Sequence, residues 1–138
     1  MAGPVISDQT TAIAVSALKA QQGRMRIVAE NLANADSTAS TPGGDPYRRQ
    51  TPVFTTALID GATGVKLAQV VSDTTAFTEE YDPSNPAADS KGMVKRPNVN
   101  PLIETMDMRE AQRAYEANLN VLDNSSAMTE KTLDILNK

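Results

Sequence analysis

Two long stretches without chain breakers bracket this sequence: residues 10–35 hold one glycine, at position 23, and no proline, while residues 102–138 hold neither. A run of that length, rich in Ala, Leu, Met, Glu and Lys, predicts a helix at each end. Ser7 or Asp8 can cap the first helix, and the Asn34-Ala35-Asp36-Ser37 segment favours turn geometry at its end. Asn100 caps the second, with Pro101 at the first helical position, where its missing N–H costs nothing. About 36 helical residues extend about 54 Å, roughly three times the average helix, which points to an elongated subunit.

Both helices carry more apolar surface than one partner can cover. At 100° per residue, Leu18, Met25 and Leu32 fall on one line and Ile13, Ala20 and Ile27 on a nearly opposite one, joined along one side by Ala17 and Val28. In the second helix Met108, Tyr115 and Leu122 form one line, with Leu119 and Leu133 close to it. Ala114, Val121, Met128 and Ile135 form another, half a turn away. The two first lines can pair as a coiled coil, leaving the second lines for neighbouring chains. Asn31 and Asn118 project into the apolar sectors, where an amide is costly unless paired and can fix the register of packing.

The middle is different in kind. Glycines and prolines punctuate residues 37–99, and residues 52–58, 65–72 and 77–81 have strand-like content, so two to four short strands are expected. The chain therefore reads as α+β: an N-terminal assembly helix (1–36), a small irregular β-containing segment (37–99) and a C-terminal assembly helix (100–138). With 138 residues, one architecture must account for all of it.

Composition closes off most chemistry. Neither Cys nor His occurs, which removes thiolate nucleophiles, disulfides, His-dependent triads and zinc sites built on nitrogen or sulfur. A net charge of −4 without basic runs argues against nucleic acid, and no apolar stretch is long enough for membrane insertion or resembles a cleavable signal. Glu79 and Glu80 with Asp82 and Asp89 read as a solvated acidic turn rather than an acid/base pair, because adjacent carboxylates on a strand face opposite ways. Their spacing also misses the pattern of a calcium loop. Gly61 and Gly64, with two residues between them, miss the four-residue gap of a phosphate loop, and Asn124 sits mid-helix, unsuited to glycosylation. The basic residues Arg48, Arg49, Lys91, Lys95 and Arg96 give the middle a local positive character, either as a solvated face or toward an acidic partner surface.

Three segments carry a resemblance. The run Ala29-Glu30-Asn31-Leu32-Ala33-Asn34-Ala35-Asp36-Ser37 resembles the N-terminal signature of flagellar rod and hook proteins, with Asn-Leu-Ala-Asn its most specific part. The run Arg109-Glu110-Ala111-Gln112-Arg113-Ala114-Tyr115-Glu116-Ala117-Asn118, followed by Val121-Leu122, is similar to the C-terminal signature of the same axial family. Between them, Pro46-Tyr47-Arg48-Arg49, Tyr81-Asp82-Pro83-Ser84-Asn85-Pro86 and Gly92-Met93-Val94-Lys95-Arg96-Pro97 resemble the C-type branch of basal-body rod proteins.

The resemblance implies a structural subunit of the proximal rod, neither an enzyme nor a cofactor binder. It implies export by the flagellar apparatus without signal cleavage and helical hetero-oligomerisation with other rod proteins, near the junction of inner-membrane ring and export gate. Residues expected at subunit contacts are Ile13, Leu18, Met25, Ile27, Asn31, Leu32 and Asn34 in the first helix, and Met108, Tyr115, Asn118, Val121, Leu122 and Met128 in the second. Another axial subunit, or a cytosolic helical adaptor or export chaperone, remains an alternative at this point.

Overall fold

In the computed structural model, which describes residues 3–137, helix α1 spans Gly3–Ala33 and helix α2 spans Pro101–Leu136. Between them lie β1 (Gln50–Ile59), β2 (Ala62–Ser72), β3 (Thr78–Tyr81) and β4 (Met93–Arg96). The class is α+β, with two long helices flanking a small antiparallel β segment. One boundary differs from the sequence expectation. α1 already runs through Ser7 and Asp8, so neither stands at a cap position; Pro4 falls in the first turn, where a helix tolerates it. The four strands lie within the expected two to four; β4, whose residues the sequence pattern does not pick out, is too short and too charged to show an alternating pattern of its own.

The α2 start is built as its sequence suggests. The Asn100 side-chain Oδ1 accepts from the Leu102 N–H at 3.1 Å, and Pro101 occupies the first helical position. α1 ends at the Asn-Leu-Ala-Asn motif: the Asn34 side-chain amide donates back to the Glu30 carbonyl at 2.8 Å, and Asn34 O accepts from both the Ser37 N–H and its hydroxyl.

The strands form two separate two-stranded sheets, β1–β2 and β3–β4. β1 and β2 are joined by Asp60-Gly61, both at positive φ (49° and 82°), the mirror-image turn whose twist matches a hairpin. β3 and β4 pair antiparallel with Thr78 opposite Arg96 and Tyr81 opposite Met93. Their connection is clipped by carboxylates: Asp82 Oδ1 accepts from the Ser84 hydroxyl, and Asp89 Oδ1 accepts from the Lys91 and Met93 N–H groups. Those backbone bonds hold the exposed Asp89 carboxyl below its usual pKa. Asp82 and Asp89 are thus turn clips, and Glu80 is an ion-pair partner of Arg96.

The chain divides into two compact units, each drawing on all three sequence segments. The first comprises Met1–Met25, Val53–Gln69 and Arg109–Lys138; the second, Arg26–Pro52 and Val70–Met108. In the first, the fully buried apolar residues among those whose burial is described are small: Ala14, Ala20 and Ala111. In the second they are Ile27, Val28, Ala87 and Val94, beside buried Pro46 and Pro97.

Candidate assembly surface

The positions of α2 that its own chain covers at least partly are 104, 107, 108, 111, 114, 115, 118, 122 and 125. Within them, 104, 108, 111, 115, 118, 122 and 125 alternate by four and three, the spacing of a coiled-coil seam. Met108, Tyr115 and Leu122 therefore lie on the inward stripe, half-buried. Val121 and Met128 lie off it, 43% and 70% exposed. From 126 to 137 every residue is exposed, including Leu133, Ile135 and Leu136.

On α1 the two apolar lines have different fates. Leu18, Met25 and Leu32 are half-buried, whereas Ala20 and Ile27 on the opposite line are fully buried and Ile13 is exposed. In the first unit the hairpin explains this cover. The Val65 N–H donates to Ser16 Oγ at 3.3 Å, and Leu67 comes so close to α1 that a Cβ on Gly23 would stand 3.2 Å from its Cδ2. Arg24 Nη2 and Glu110 Oε2 link the two helices here at 3.3 Å.

In the second unit Asn31 is the hub, 1% exposed. Its side-chain amide pairs with the backbone of Gln50 as a strand neighbour would: Nδ2 donates to the Gln50 carbonyl and Oδ1 accepts the Gln50 N–H, each at 2.9 Å. Oδ1 also accepts the Tyr47 hydroxyl at 2.7 Å, and Nδ2 also donates to Glu104 Oε2 at 3.2 Å. All four bonding positions of the amide are used, and the desolvation cost of burying it is met. Burial and the nearby Glu30 and Glu104 charges raise the Tyr47 phenol pKa, so its proton stays for this bond.

Glu104, fully buried in the first turn of α2, accepts from Arg49 Nε on its other oxygen. That hydrogen bond raises the Arg49 pKa further, and Arg49 Nη1 reaches Asp73 Oδ2 at 3.5 Å. Asp73 is held below its usual pKa, first by bonds from Thr75 and then by Arg49. Asn98 completes the arrangement, accepting the Arg49 N–H at 2.7 Å and donating to the Asp73 carbonyl at 3.0 Å. A buried charge pair of this kind specifies an arrangement more than it stabilises one.

Of the five basic residues singled out in the middle segment, four are thus occupied within the second unit. Arg49 pairs with Glu104, Arg48 lies 4.2 Å from the centroid of the Phe77 ring, Lys95 meets Asp45 at 3.0 Å, and Arg96 meets Glu80 at 2.8 Å. The positive character read from the sequence is largely neutralised inside the chain. Asn34 and Asn118 each bond their own helix, the Asn34 amide donating to Glu30 O and the Asn118 amide to Ala114 O, both at 2.8 Å. Glu104, the partner that explains Asn31, is missed by sequence reasoning. An acidic residue in the first turn of a helix has the ordinary role of facing the dipole, and only the approach of Arg49 marks it.

These features are those of a chain built to pack against other chains: long helices with an incompletely covered apolar stripe, held by a polar lock. Among the described residues no helix is long and apolar enough to cross a membrane. Residues 12–39 match the family described as flagella basal body rod protein, and residues 90–135 match the C-terminal region described for the flagellar basal body rod FlgEFG proteins. The flagellar basal-body rod protein FlgC of Agrobacterium fabrum is 52% identical over 90% of this chain and 91% of its own length. FlgC of Escherichia coli is 44% identical, covering 89% and 92%, and FlgC of Borreliella burgdorferi 36% identical, covering 90% and 93%. The chain belongs to the flagellar basal-body rod protein family: it is a structural protein of the flagellar rod and not an enzyme.

Proposed function

We propose that the chain is a subunit of the proximal rod, exported by the flagellar apparatus without cleavage of a signal. There it polymerises with other rod proteins above the junction of inner-membrane ring and export gate, and passes torque across the periplasm. The observation that carries this reading is the outer line of α2: Val121, Met128 and Ile135 stand exposed although they recur at the spacing of a packing stripe. Each large apolar side chain buried against a neighbour contributes about 1.5–3 kcal/mol, which offsets part of the roughly 1–2 kcal/mol per residue that ordering a free helix end costs. The contact residues are those of both lines, from Ile13, Leu18, Met25 and Leu32 to Tyr115, Leu122 and Met128, while Asn31 and Asn34 shape the surface from within.

Electron cryotomography of cells lacking the gene, with a complemented control, tests the reading. Basal bodies halted at the inner-membrane ring and restored by complementation are the expected result; intact rods and filaments in the deletion strain would overturn it. A Leu122→Asp variant is expected to be exported but to leave cells without rods, and normal swimming by that strain would remove Leu122 from the contact.

A further inference from the structure

The first unit carries a groove that its own α2 tail does not fill. It is open, holds about 630 Å³, and lies between α1 and the β1–β2 turn. Ala12 and Val15 of α1 with Ile59 and Leu67 of the hairpin give it an apolar floor, and Lys19 and Lys66 stand exposed at its rim. Asp60 also lines it, leaving the rim one net positive charge. Among the described residues neither lysine has an ion-pair partner.

We propose that this groove receives the C-terminal turns of α2 from a second copy of the chain. The tail has the complementary character. Leu133 and Leu136, 54% and 75% exposed, are one helical step apart, and Glu130 and Asp134 flank Leu133 at positions −3 and +1. Two leucines match the apolar floor and two carboxylates meet the two rim lysines. Exposed ion pairs of this kind add little affinity, but they set the direction and register of approach. The chain's own tail is exposed throughout 126–137, so a neighbour's tail is the occupant that the same sequence supplies. Groove and tail are different surfaces, so the contact is head-to-tail and propagates into a helical series instead of closing as a dimer.

This docking rests on the rod-subunit reading, and one experiment separates the two. The chain contains no cysteine, so Lys19→Cys combined with Asp134→Cys places the only thiols at two exposed positions. The full-length double variant is expressed in the native cells, basal bodies are purified, and mild oxidation is applied. The expected result is a ladder of covalent oligomers, with dimer about tenfold or more above either single variant, because docked thiols react at the effective concentration of a held pair. Lys66→Cys with Glu130→Cys repeats the test in an independent pair. Chain present in basal bodies but remaining monomeric in both pairs, closing on itself, or cross-linking only to other proteins overturns the docking alone. Chain absent from basal bodies, with an unmutated control also absent, overturns the rod reading together with it.

Discussion

The two compact units use lengths of the same helices and the same hairpin, yet they solve burial in opposite ways. The second closes on large side chains, Ile27, Val28 and Val94, around a polar lock in which Asn31, Tyr47, Arg49 and Glu104 satisfy one another. The first closes on Ala14, Ala20 and Ala111, whose methyl groups contribute far less, while Leu119, Val121, Met128, Leu133, Ile135 and Leu136 stay exposed on α2. One unit spends its apolar residues on its own fold and the other leaves them exposed. On the proposed reading, this division keeps the shape of one part fixed while the other gains its stability on assembly.

The most direct way to break this comparison is to unlock the second unit. Glu104→Ala leaves Arg49 without its buried partner and Asn31 with one donor unused, and is expected to cost about 3–5 kcal/mol in urea unfolding. Glu104→Gln keeps an acceptor for Asn31 and is expected to cost less. Equal effects for Ala and Gln would mean that the charge alone matters and that Asn31 is not the hub. In the isolated wild-type chain, hydrogen exchange is expected to be slower in residues 26–33 than in 10–25, and equal protection would erase the contrast between the units.

Truncating one large aliphatic residue in each unit sharpens it. Ile27 is 2% exposed, so Ile27→Ala is expected to cost about 2–5 kcal/mol. Leu133 is 54% exposed, so Leu133→Ala is expected to change the free chain by no more than about 0.5 kcal/mol. In cells the order is expected to narrow, because Leu133→Ala weakens assembly. A loss above 2 kcal/mol for Leu133→Ala in the free monomer, about the size of a buried truncation, would place that residue in a core the first unit already possesses.

Acidification gives a smaller effect confined to the second unit. Asp73 and Asp89 both have folded pKa values lowered, the first by Thr75 and Arg49, the second by the Met93 and Lys91 N–H groups. A lowered carboxyl pKa contributes stability that is complete above the ordinary carboxylate range and is lost as pH falls through the folded value. Thermal unfolding followed against pH is therefore expected to show a flat region near neutrality and a decline on acidification. Asp73→Asn and Asp89→Asn should lower the plateau and flatten the decline. An unchanged slope in both variants would assign the acid sensitivity to other carboxylates.

The helices were legible because their constraints are local: absence of Gly and Pro, the Asn100-Pro101 start and the heptad lines are all written in neighbouring residues. The polar lock was half legible. Asn31 stood out as an amide in an apolar sector, but its partners come from positions 47, 50 and 104, and nothing in their local sequence marks them. Arg48 and Arg49 are identical as neighbours in sequence, and only the fold sends one over Phe77 and the other to Glu104. The Asp60-Gly61 hairpin signal was present in the chain, yet the comparison of Gly61 and Gly64 with a phosphate loop passed over it.

Gly23 supplies the finest test, because two opposing effects of similar size meet there. Glycine inside a helix costs about 0.5–1 kcal/mol relative to alanine through backbone entropy, so replacing it should stabilise α1. Against this, the added Cβ would lie 3.2 Å from Leu67 Cδ2, closer than comfortable contact. That atom is the end of a leucine side chain on a strand of a unit with a small core, and it can move by a few tenths of an ångström at little cost. Gly23→Ala is therefore expected to raise stability by less than about 1 kcal/mol, with the 10–25 amides exchanging more slowly. A loss of stability would show that Leu67 is held as firmly as Ile27 and that the first unit is packed more tightly than its alanine core implies.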